Sequence, residues 1–151
     1  MTARKSHRWT TSLAALLVLG VPLATGPAFA AGKVVTYRAA LTGGSEVPAT
    51  ASSGKGEITA TFDPATKRLS WSGQYSGLTG PVTAAHFHGP AKAGENAGVL
   101  VPVTAASSPF TGEATLDDAK AADLEAGKVY FNLHTAANPK GEIRGQMERA
   151  P

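Results

Sequence analysis

Apolar and polar residues alternate along most of the chain after residue 34, which is the pattern of β-strands with one buried face. The apolar positions that fall on one face of the first three predicted strands are Val35, Tyr37, Ala39 and Leu41, then Ile58, Ala60 and Phe62, then Leu69, Trp71, Gly73 and Tyr75. Residues 63–67 form a turn in this scheme, because Pro64 presets its own φ and Asp63 can accept from the following backbone. The pattern therefore predicts that the second and third strands form a hairpin with one buried and one solvent-exposed face.

Five more strands are predicted at 82–88, 99–103, 110–116, 128–133 and 142–147. Pro102 places the strand at 99–103 on a sheet edge, because proline cannot donate to the ladder. Helix formers at 117–126, with acids at the start and Gly127 after the end, predict one short helix. About eight short antiparallel strands with turn residues between them indicate an all-β, Greek-key sandwich or barrel.

The first 30 residues have the three parts of a secretory signal peptide. A basic stretch at 1–10 precedes an apolar stretch at 13–24, and Ala28-Phe29-Ala30 follows. We expect cleavage after Ala30, a single mature domain at 31–151, and a secreted or periplasmic product. The apolar stretch is too short to span a bilayer comfortably, so we expect no membrane span in the mature protein.

Composition narrows the chemistry further. The chain has no cysteine, which excludes a disulfide framework, a thiolate metal site and a cysteine nucleophile. The formal net charge is +3, but three of the basic residues lie in the leader. The remainder has 11 basic and 11 acidic residues. This balance gives no support to nucleic-acid binding.

Three histidines of the predicted domain form a candidate metal site. Residues two apart on a strand point to the same side, so His86 and His88 face outward if Phe87 is in the core. The same alternation puts His134 on the outer face of its own strand. Neutral imidazoles suit copper or zinc. The alternative is that these histidines only brace nearby loops through hydrogen bonds.

Glu142 and Arg144 share one face of the last predicted strand and could join the same loop network. Their alternative is an ordinary cross-strand ion pair of little net value. Nucleophile-elbow, phosphate-loop and dinucleotide motifs do not occur in the sequence, so we predict no catalytic residue.

Two segments resemble the signature stretches of the CHRD domain family. They are Ala85-His86-Phe87-His88-Gly89-Pro90-Ala91 and residues 130–146, which run from Tyr130-Phe131-Asn132-Leu133-His134 to Glu142-Ile143-Arg144-Gly145-Gln146. Residues 40–48, which include Gly44-Ser45-Glu46-Val47-Pro48, resemble the opening motif of the family. The resemblance implies an all-β Greek-key fold and an extracellular binding module whose protein or surface partner is unknown.

A looser likeness is to Cu/Zn superoxide dismutase, which also carries a His-x-His pair on a Greek-key β-structure. By this likeness His86, His88 and His134 would correspond to the copper side, and Arg144 to the arginine that guides the anion. Copper is therefore favoured over zinc. Three functions remain open: a non-enzymatic binding module holding one copper ion, a copper-dependent redox enzyme of dismutase type, and a structural or adhesive module without metal.

Overall fold

The computed structural model describes residues 32–104 and 107–151, and the predicted signal peptide lies outside these residues. The strands are β1 (Val35–Thr42), β2 (Lys55–Asp63), β3 (Arg68–Ser76), β4 (Val82–His88), β5 (Val99–Val103), β6 (Phe110–Thr115), β7 (Tyr130–Thr135), β8 (Ile143–Gln146) and β9 (Glu148–Arg149). In the described residues one α-helix, α1 (Asp118–Glu125), lies between β6 and β7, and a 3-10 helix, Gly43–Ser45, follows β1. Within the described ranges, no helix is long and apolar enough to cross a membrane.

The strands form one antiparallel, barrel-like sheet in the order β5-β4-β7-β8-β1-β2-β3-β6, with the short β9 added to β1. A short turn joins β2 to β3, and a longer connection, residues 43–54, joins β1 to β2. β7 follows β6 in the chain but returns through α1 to pair with β4, which is a Greek-key connection. The predicted all-β class with about eight antiparallel strands and one short helix is confirmed.

The alternating residues fill the interior as predicted. Phe87, Phe131 and Leu133 have no exposed surface, and Ile58, Phe62 and Leu69 are almost as deeply buried. Trp71 packs edge-on against Phe87 with 5.1 Å between ring centroids. Because the interior takes these apolar side chains, the residues that alternate with them are turned to the outside of the sheet.

Three local sequence features, a proline, a helix cap and a glycine, have the structural roles that were predicted for them. β5, which contains Pro102, lies at one end of the strand order and pairs with β4 alone among the strands described. The Asp117 side chain accepts from the backbone N–H of Lys120 at 2.9 Å and caps α1. Gly127 follows the helix with a φ of 69°, the left-handed conformation that favours glycine at this position.

The last predicted strand is shorter than the pattern suggests. β8 begins one residue after Glu142 and ends one residue before Met147. The backbone N–H of Met147 donates to the Val129 carbonyl at 2.9 Å, and the chain then continues into β9. Alternation alone does not reveal this break, because Met147 is buried like a strand residue.

Candidate metal centre

The outer face of β4, β7 and β8 carries a covered polar cluster. β7 lies between the other two strands, and its register places Asn132 opposite His86 on β4 and Arg144 on β8. All six residues of β7 are buried, because the connections that follow β1, β4 and β7 lie over this face. The cluster is therefore shielded from water although it is outside the apolar core.

The structure brings the three histidines together. One ring nitrogen from each of His86, His88 and His134 lies within 4.8 Å of the others. The His86 and His134 rings are closest, with 3.1 Å between Nδ1 of His86 and Nε2 of His134. Three imidazoles at this separation could hold a metal ion after small side-chain movements, since metal–nitrogen bonds are about 2.0–2.1 Å long.

Two backbone carbonyls fix which nitrogen each buried ring presents. The Nδ1 of His88 lies 3.0 Å from the Ala97 carbonyl, and the Nδ1 of His134 lies 3.1 Å from the Pro139 carbonyl. A carbonyl only accepts, so both Nδ1 atoms carry the proton and both Nε2 atoms are acceptors. Nδ1 of His86 must then be the donor to Nε2 of His134.

Burial also keeps the three rings neutral. Burial lowers the pKa of His86, His88 and His134 below the usual histidine value, and the neighbouring His134 lowers the pKa of His86 further. Neutral imidazole is the form that binds a metal. The Nε2 of His88 is buried and has no hydrogen-bond partner among the described residues.

Arg144 is held beside the histidines rather than extended into solvent. Its guanidinium carbon lies 3.4 Å from the centre of the Tyr130 ring, and that ring stacks on His88 with 4.8 Å between centroids. The guanidinium also donates to the Asn96 side chain at 3.0 Å and to the Glu95 carbonyl at 2.6 Å. Arg144 therefore secures the segment 89–98, which supplies the carbonyl that orients His88.

Glu142 secures the other loops. Its carboxylate is fully buried and accepts from Ser52 Oγ at 2.7 Å, from the Thr79 backbone N–H at 2.8 Å, from Thr79 Oγ1 at 2.6 Å and from Thr135 Oγ1 at 2.5 Å. Burial alone would raise the pKa of Glu142, but these hydrogen bonds outweigh it and lower the pKa to about 2. The carboxylate thus joins three connections around the end of β7.

Glu142 and Arg144 form no ion pair with each other in the described part of the chain. The sequence placed them on one face and left open whether they would pair or enter the loop network. Each forms its own hydrogen bonds to the loops instead. Arg144 holds the loop that supports His88, and Glu142 holds the loop that supports His134.

Glu46 and Asn132 belong to the cluster but were not identified from the sequence. Asn132 is buried between His86 and Arg144, and the Glu46 carboxyl packs against Asn132 and Gly141. Alternation on β7 could have identified Asn132, which shares the outer face with His134. Glu46 lies in the connection after β1, where no alternating pattern of apolar and polar residues indicates that its side chain is buried.

These features define a class: an antiparallel Greek-key β domain with a loop-covered histidine cluster on its outer face. Residues 37–147 match the model of the CHRD domain family. The match covers most of the chain, so this protein belongs to the CHRD family, as the resemblance predicted. No curated relative and no solved structure matches the chain.

Proposed function

We propose that this protein is an exported, non-enzymatic CHRD binding module that holds one copper ion between His86, His88 and His134. The observation that carries the proposal is that one ring nitrogen from each of the three histidines lies within 4.8 Å of the others. The Nδ1 of His88 is fixed on the Ala97 carbonyl, so its buried Nε2 carries no proton and can bind a metal ion.

The donor set fits a first-row metal. It offers three neutral nitrogens and no thiolate, a set that copper and zinc both accept. The looser likeness to Cu/Zn superoxide dismutase favours copper. His86 would complete the set by moving its proton from Nδ1 to Nε2. Three ligands leave at least one coordination position open for water or for a group from a partner.

Arg144 and Glu142 are positioning residues in this proposal. Second-shell carbonyls that accept from histidine Nδ1 orient the ring and increase its basicity. Arg144 holds the loop that provides Ala97, and Glu142 holds the loop that provides Pro139. The Arg144 guanidinium already donates to Asn96 and Glu95 and lies over the Tyr130 ring. These contacts favour a positioning role over the guidance of an anion.

Export is the second part of the proposal and rests on residues 1–30. The mass of the mature protein recovered from the periplasm or the medium of expressing cells tests it. We expect a chain that begins at Ala31. A recovered chain that keeps the leader, or that stays in the cytoplasm, would contradict export.

Titration of the purified domain with Cu(II), followed by electron paramagnetic resonance, tests the metal site. We expect one equivalent of copper with nitrogen hyperfine structure, and loss of this signal in the triple variant H86A/H88A/H134A. Glu125→Ala removes an exposed carboxylate on α1 and serves as the matched control that keeps the signal. An intact stoichiometric signal in a folded triple variant would refute the assignment.

The two alternatives give different results on the same samples. A dismutase-like enzyme requires superoxide consumption by the copper-loaded protein above that of free copper, and we expect none. A structural module without metal requires that copper leave the melting temperature unchanged, whereas a bound ion must raise it by mass action.

A further inference from the structure

Three neighbouring side chains each carry a buried polar atom that has no hydrogen-bond partner in the described part of the chain. These atoms are Oε1 of Glu46, Oδ1 of Asn132 and Nε2 of His88. The Asn132 side chain is within reach of both the Glu46 carboxyl and the His88 ring. Buried polar groups are nearly always paired, so three adjacent exceptions call for one common explanation.

The orientation of the Asn132 amide accounts for all three. A Cβ added at Gly141 would meet both the Nδ2 of Asn132 and the Oε1 of Glu46. These two atoms therefore lie on the Gly141 side, and Oδ1 is the amide atom left for His88. Both Oδ1 and the Nε2 of His88 are acceptors, so they cannot satisfy each other. A half-turn of the amide interchanges its oxygen and nitrogen. Nδ2 then donates to His88, and Oδ1 can accept a proton from Glu46.

We propose that Glu46 is a neutral carboxylic acid in the metal-free protein, donating to Oδ1 of Asn132, and that metal uptake by His88 releases this proton to solvent. The release rests on the proposed metal-binding function. When a metal takes the lone pair of His88 Nε2, the Asn132 amide loses its acceptor. The amide then turns back, and its Nδ2 donates to the ionised Glu46 carboxylate.

The surroundings of Glu46 allow both protonation states near neutral pH. Arg144 on β8 favours the carboxylate, and Lys140 lines the same small groove as Glu46. Arg38 and Arg149 line the crevice on the other side, together with Glu148. Burial outweighs the favourable charges and raises the pKa of Glu46 to about 7. Only 7% of this residue is exposed.

Infrared difference spectroscopy of the metal-free protein tests the neutral acid directly. We expect a carboxylic-acid C=O band at pH 6 that disappears by pH 8 and is absent from Glu46→Gln. Glutamine keeps a donor for Oδ1 of Asn132, so this variant should fold. Absence of the band from the wild type at pH 6 would overturn the assignment.

Zn(II) affinity, measured by calorimetry at pH 6 and pH 8, tests the coupling. Glu46→Gln keeps a donor on Asn132 at every pH, and this donor holds the amide on His88. Because the wild type loses the Glu46 proton between these pH values, we expect the wild-type to Glu46→Gln affinity ratio to rise about ten-fold from pH 6 to pH 8. The histidines contribute equally to both proteins. The exposed-acid control Glu113→Gln, on β6, should follow the wild type at both pH values.

The outcomes separate this proposal from the metal-binding function. A wild-type to Glu46→Gln affinity ratio that does not change with pH overturns the coupling while the metal site stands. If Zn(II) and Cu(II) fail to bind at either pH, the metal-binding function and the coupling both fall. The infrared band alone then decides whether Glu46 is a neutral acid.

Discussion

Replacing Glu142 by glutamine should destabilise the domain although the two side chains have almost the same shape. The carboxylate of Glu142 is fully buried and accepts four hydrogen bonds, from Ser52, Thr135 and two donors of Thr79. A glutamine amide keeps one of the two oxygens and carries no charge. The NH2 group must then face hydroxyl groups that now donate to the carboxylate.

The magnitude follows from the change in hydrogen-bond strength. Hydrogen bonds to a charged group contribute about 1.5–3 kcal/mol each, and neutral ones about 0.5–1.5 kcal/mol. Weakening four bonds, partly offset because a charge need no longer be buried, should lower the free energy of unfolding by about 3 kcal/mol. For a domain of this size the melting temperature should fall by about 10 °C.

The pH dependence gives this prediction a specific signature. The pKa of Glu142 is lowered to about 2 in the folded protein from an ordinary value of 4.5. Its contribution is therefore fully present above the unfolded pKa and is lost as the pH falls towards 2. The difference between wild type and Glu142→Gln should be largest above pH 5 and should shrink on acidification.

Urea denaturation from pH 7 to pH 3 measures this difference. Glu113→Gln is the matched control, because Glu113 is exposed and, within residues 32–104 and 107–151, pairs only with exposed Arg68; such pairs contribute about 0–1 kcal/mol. Equal stability of Glu142→Gln and wild type at pH 7, or a difference that does not change with pH, would refute the reasoning.

Three further predictions concern the core, a turn and the metal. Phe87→Ala should cost about 3–5 kcal/mol in chemical denaturation, because Phe87 is fully buried and packs between Trp71 and Phe131; a cost below 1 kcal/mol would contradict this packing. Gly141→Ala should destabilise the domain by about 2 kcal/mol or more, because Gly141 has a φ of 130° and an added Cβ would overlap the Glu46 carboxyl; an unchanged melting temperature would show that this turn adapts freely. Copper at 100 times its dissociation constant should stabilise the domain by about 2.7 kcal/mol, and a chelator should reverse the gain.

Much of the fold could be predicted because alternation reports which side chains enter the core. Phe87 and Phe131 fix the inner faces of β4 and β7, and this fixes the outward direction of the histidines. The bounds of β4 and β5 follow from the same pattern. The pairing of β7 with β4 is different, because it depends on a long connection that leaves no local signal in the sequence.

The site could be predicted only in part for a similar reason. The histidine spacing on β4 gave the direction of two rings, and the same alternation on the later strand placed His134 on the outer face. Glu46 lies in the connection after β1, which has no alternating pattern. It is buried by Asn132, Gly141 and Arg144, which are more than 80 positions away in the chain, so the local sequence does not reveal its burial. The carbonyls of Ala97 and Pro139 orient the histidines through the backbone, so no side-chain motif reports them.

Anomalous diffraction from crystals of the copper-loaded domain tests the central claim most directly. The account predicts one copper peak within about 2.0–2.1 Å of Nε2 of His88, Nε2 of His134 and a ring nitrogen of His86. A peak bound by other residues, or fully loaded crystals with no peak between the three rings, would contradict it.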